Sequence, residues 1–70
     1  MKTFDEHVED AAMAAYGAWQ FGGSERRAIR DYLKDEGFTI GYPEAERVSD
    51  CAMRRCFEMV ETARRAAGVI

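Results

Sequence analysis

The sequence predicts an all-α protein, a three-helix bundle with a long C-terminal helix, and two observations carry that prediction. The first is punctuation. Thr3 and Glu6 have the S/T-x-x-E spacing of a capping box, in which each side chain satisfies an orphan backbone N–H of a first turn. Gly22-Gly23-Ser24 stops one helix and offers a cap to the next, Gly37 stands where a C′ glycine belongs, and Gly41-Tyr42-Pro43 places proline at a first helical position. The second observation is periodicity, because apolar residues recur at helical spacing in all three segments between these marks.

The first helix is expected over about 4–21. Phe4, Val8, Ala11, Ala12, Ala15, Ala18 and Trp19 fall on one stripe, with His7 at its edge. The alanines allow a neighbouring backbone to come close, while Phe4 and Trp19 supply bulk at the two ends. The second helix, about 25–36, turns Ala28, Ile29, Tyr32 and Leu33 inward. The connection that follows is apolar at alternate positions, so Phe38 and Ile40 are expected to plug the base of the bundle; no second strand exists for it to pair with.

The third helix, about 43–67, is stopped by Gly68, with Val69 placed for a C″ hydrophobic contact. Val48, Ala52, Met59 and Ala63 form its stripe, and Met53, Phe57 and Val60 widen the apolar sector to nearly half the circumference. At about 37 Å it is too long for a second helix of about 18 Å to cover. Trp19 and Phe57, each on an apolar sector, are expected to be structural. The surplus apolar surface at Met53, Phe57 and Val60 predicts self-association as a homodimer through this helix.

Composition narrows the class. Seventy residues make a single domain, 1–70, near the lower size at which a core holds a fold without metal or disulfide. Ten basic against thirteen acidic residues give a net charge of −3, which disfavours a nucleic-acid partner. Residues 1–23 hold Asp5, Glu6, Glu9 and Asp10 against Lys2 alone, and so account for the whole excess. An initial methionine and the lack of a long apolar run predict a complete small cytoplasmic protein with no membrane span. Cys51 and Cys56, five apart on one helix, cannot bridge each other, and with His7 as the single histidine they are too few for a structural zinc site.

No catalytic, cofactor or metal constellation is legible. Gly22-Gly23 has no preceding strand and no Walker pattern, so it reads as a turn. A Cys/His nucleophile pair would have to join Cys51 or Cys56 to the distant His7. What remains are surfaces. Met13 and Tyr16 are placed opposite the core stripe beside Glu9, where adaptable contact residues suit a partner-binding ridge. Arg26, Arg30 and Lys34 recur every four residues as a basic stripe, which could hold phosphates or an acidic partner; a solvated face with Arg27 paired to Asp31 is the plainer reading. On the third helix Asp50, Arg54 and Glu58 alternate at i+4 steps, and Glu61 faces Arg65, as on a solvent-exposed face.

The expected function is therefore a non-enzymatic protein–protein interaction module, of the kind a phage or mobile element uses to inhibit or regulate a host protein. The alternative is a helix-turn-helix DNA-binding regulator. Against it stand a long connection before the third helix and the acidic residues Glu44 and Glu46 at that helix's start.

Overall fold

The computed structural model describes residues 1–68, so the contact expected of Val69 lies outside it. Three helices, α1 (Phe4–Gln20), α2 (Glu25–Asp35) and α3 (Pro43–Ala66), pack into an all-α bundle. Each begins as its sequence dictates. Thr3 accepts from the Glu6 N–H while the Glu6 carboxylate accepts from the Thr3 N–H, completing the capping box. Ser24 Oγ accepts from the Arg27 N–H to cap α2, and Pro43 opens α3 where its missing N–H has no helical partner to serve. Phe21, Glu36 and Ala67 are the C-caps, so each helix ends one residue inside its expected bound. Gly37, with φ of 88°, then turns the chain in the left-handed conformation that a side chain resists.

The arrangement is up, down, up. Glu9 of α1 reaches Arg55 of α3, and Trp19 at the end of α1 lies under Arg64 near the end of α3, so these two helices run parallel. His7 at the start of α1 meets Tyr32 and Phe38 at the end of α2, which therefore runs the opposite way. Helix α1 packs closely against both partners, whereas α2 and α3 touch sparingly. The alanine stripe makes this possible. Ala11, Ala12 and Ala15 are completely buried, and without bulk on α1 both neighbours come within backbone reach of one helix.

The core is small in kind as well as in number. Five of the ten buried hydrophobic residues among those described are alanines, and the largest fully buried side chains are Ile29, Val48 and Cys56. On α3 the buried line runs Ala45, Val48, Ala52, Cys56 and Val60, with Met53 and Met59 flanking it and half-buried. Several expectations change accordingly. Phe57 is 59% exposed and is not a core residue; the buried line of α3 runs through its neighbour Cys56 instead. Val60, expected on the open shoulder, is 8% exposed and belongs to the core. Phe4 and Ile40 are exposed; Phe38 alone of its pair seals the base, edge-on to His7 at 5.0 Å between ring centres. Trp19 is half-buried against the core, as is Tyr16, which leans off the outer face of α1 and stacks on Trp19 at 5.7 Å.

Candidate interaction surface

The two ends of the bundle are built from different chemistry. At the end where α1 begins, polar partners tie the elements together. His7 Nδ1 and the Tyr32 hydroxyl share a hydrogen bond at 2.9 Å. Lys2 Nζ lies 3.0 Å from Asp10 and 3.3 Å from Glu36, and over the Tyr32 ring at 5.6 Å. Its bonds to the Asp10 and Glu36 carboxylates hold the ammonium above its ordinary pKa. Burial raises the Tyr32 phenol, since the site disfavours a phenolate. Backbone donation from Thr3 lowers Glu6. Every one of these contacts closes within the chain, so this end has the character of a structural clasp.

At the opposite end the aromatic surface is open. Trp19, Phe57, Val60 and Arg64 border a groove of about 390 Å³, with Glu25 and Cys56 at its side. Arg64 sits 5.9 Å from the Trp19 ring centre, a cation–π arrangement that holds the guanidinium in place. Phe21, the α1 C-cap, is 91% exposed close in sequence to this end. Burial pushes the Cys56 thiol up, with Glu25 adding to the shift, so Cys56 behaves as a core hydrophobe rather than a nucleophile. His7 is engaged with Tyr32 and Phe38 at the other end of the bundle, and the structure does not bring it to either cysteine.

The sequence-predicted surface residues divide. Met13 is 59% exposed on the outer face of α1. Glu9 is held across the helix pair by Arg55 at 2.6 Å, and Glu58 completes the network at 3.3 Å. That bond keeps the Arg55 guanidinium protonated above its ordinary range. Arg26, Arg30 and Lys34 are exposed along α2. Across the groove from Arg26 and Arg30 stand Glu46 and Asp50 of α3, so the basic stripe faces carboxylates, a mixed lining that suits phosphate poorly. Among the described residues Arg27 and Asp31 are not within ion-pair distance, whereas Glu61 and Arg65 are, at 3.8 Å. Met53 is half-buried and Val60 buried, so Phe57 remains as the one open aromatic of the three residues expected on this shoulder.

Two residues of these surfaces escape sequence reasoning. Arg55 is one, since nothing local marks a partner 46 positions away. Gly17 is the other. It sits inside α1 with an ordinary negative φ, one turn beyond Met13, and a Cβ built on it meets nothing within 4 Å. The fold gives no reason for glycine there, and an isolated glycine within a helical pattern was the available signal. Among the described residues no cluster of three metal-ligating side chains occurs, and no helix is long and apolar enough to cross a membrane. In comparisons with known proteins, no family model, curated protein or solved structure matches the chain.

Proposed function

We propose that the chain is a small non-enzymatic module that acts by docking on another protein, as an inhibitor or regulator from a phage or mobile element docks on a host protein. The observation that carries this reading is Gly17 on the outer face of α1. A mid-helix glycine costs roughly 0.5–1 kcal/mol relative to alanine, and here no turn, clash or left-handed backbone asks for it. A bare backbone patch beside the exposed Met13, with the Glu9–Arg55 pair along its flank and Tyr16 turned aside onto Trp19, suits close approach by a partner surface. Methionine contributes adaptable apolar contact.

The test separates folding from docking at one position. Gly17→Ala and Gly17→Gln should both fold at least as stably as the parent, because the added Cβ meets nothing within 4 Å and both residues favour helix over glycine. Affinity capture from the source organism should recover one stoichiometric protein with the parent, and Gly17→Gln should cut its recovery about tenfold or more. Equal recovery by Gly17→Gln contradicts the ridge. Sequence-selective recovery of nucleic acid in place of protein favours the helix-turn-helix reading instead.

A further inference from the structure

The outer line of α3 is self-complementary about Phe57, and we propose that it pairs two copies of the chain as an antiparallel, two-fold homodimer. This inference concerns a different helix from the Gly17 ridge and does not rest on it. Reading outward from the Arg26–Arg30 groove, the residues Glu46, Asp50, Met53, Phe57, Val60 and Arg64 follow one another at alternating steps of four and three. That spacing keeps a line on one side of a helix over its whole length, and it is the spacing by which two helices lie along each other. Within one copy the line is only partly matched: Val60 is buried, and Glu46 and Asp50 share a groove with Arg26 and Arg30. Phe57 is exposed, and among the described residues Asp50, Arg54 and Arg64 have no ion-pair partner within 4.0 Å.

The order of charge selects the occupant and its direction. A two-fold axis at Phe57 sets residues before it against residues after it at the same separation to within one position. Phe57 then meets its own copy as the apolar centre, with the half-buried Met53 beside it and Val60 held in its own core. Asp50, seven residues before Phe57, meets Arg64, seven residues after it, at both ends. Arg54 and Glu61 fall against each other beside the centre. A parallel pair would set Asp50 on Asp50 and Arg64 on Arg64, so like charges exclude that direction. Arg64 is already fixed over Trp19, which lowers the ordering cost of presenting it, and the groove beside Phe57, about 390 Å³, gives the partner's Phe57 ring a place to enter. The antiparallel contact closes on itself, which limits assembly to two copies.

Sedimentation of the full chain tests this over about 10 µM to 1 mM, the range for a short, weak interface. A monomer–dimer equilibrium is expected. Phe57→Gln, at an exposed position, should keep full helicity and abolish the dimer. Asp50→Lys and Arg64→Asp should each weaken association about fivefold or more, since each reversal acts at two symmetric pairs. The double variant, Asp50→Lys with Arg64→Asp, should recover affinity to within about threefold of the parent. A monomer at about 1 mM overturns the proposal. So does a dimer indifferent to Phe57→Gln, or one that the double reversal fails to restore while circular dichroism remains native. The last result would follow if Arg26 and Arg30 hold Asp50 within its own chain across their shared groove.

Discussion

The clasp at the start of α1 and the open end around Trp19 use the same residue types to opposite effect. At the clasp, Tyr32, Phe38 and His7 are half-buried, and the polar atoms of Tyr32 and His7 meet each other. At the open end, Phe57 and Phe21 face solvent and Arg64 lies over the Trp19 ring. Between them runs a core half made of alanine. A domain this small has few large side chains, and placing several of them outside the core leaves stability to close backbone packing and to the caps. The lesson is that bulk and burial are separate choices here: α1 is thin where it packs, at Ala11, Ala12 and Ala15, and carries the larger Met13 where it does not.

The largest expected effect attacks what little bulk the core has. Ile29→Ala or Leu33→Ala should cost about 2–5 kcal/mol and leave most of the chain unfolded at 37 °C, because domains of this size hold only a few kcal/mol in total. Urea titration followed by circular dichroism measures this. Ala15→Leu breaks the comparison from the other side: inserting bulk between closely approaching helices should cost about 1–3 kcal/mol, and a stabilised variant would show that the thin stripe conceals a void.

Smaller effects sharpen the contrast between the ends. Tyr32→Phe removes the hydroxyl that His7 meets and should cost about 0.5–1.5 kcal/mol, whereas Gly17→Ala should stabilise by about 0.5–1 kcal/mol. The pH profile follows from the direction of each shift. Tyr32 and Cys56 are raised by burial, so their contribution is complete below the ordinary phenol and thiol values and is lost as pH rises through the folded ones. Glu6 is lowered by donation from Thr3, so its contribution is present above the ordinary carboxylate range and fades as pH falls through the folded value. Thermal melts across pH should therefore show a neutral plateau that declines on both sides; removing the Glu6 carboxylate by Glu6→Gln should flatten part of the acid limb.

Much of the fold was legible because helix ends are written locally. Thr3 with Glu6, Ser24, Gly37 and Pro43 each state their function within four residues of where it is performed. The inner faces of α1 and α2 were legible for the same reason, since a single stripe leaves one way to turn. Helix α3 was not, because its apolar sector spans more than one neighbour can cover. Which part is buried depends on how the other helices lie, and the buried line runs through Cys56 and Val60 and leaves Phe57 outside. Tyr16 misled for a related reason: a long side chain at the edge of a stripe swings toward the nearest apolar partner, here Trp19. The candidate surfaces were half legible. Met13 and the basic stripe stand where helical spacing puts them, but the carboxylates opposite that stripe, and the Glu9–Arg55 bond, exist only after the chain has folded.

The central claim is that exposed bulk in this molecule serves contact and not folding. Its most direct measurement is the urea midpoint of one protein carrying Met13→Gln, Phe21→Ser and Phe57→Gln together, taken at low micromolar concentration. The account predicts native helicity and a loss within about 0.5 kcal/mol per site, the ordinary range for surface substitutions. A combined loss of about 4 kcal/mol or more, the scale of buried apolar truncations, would contradict it and return these side chains to the core.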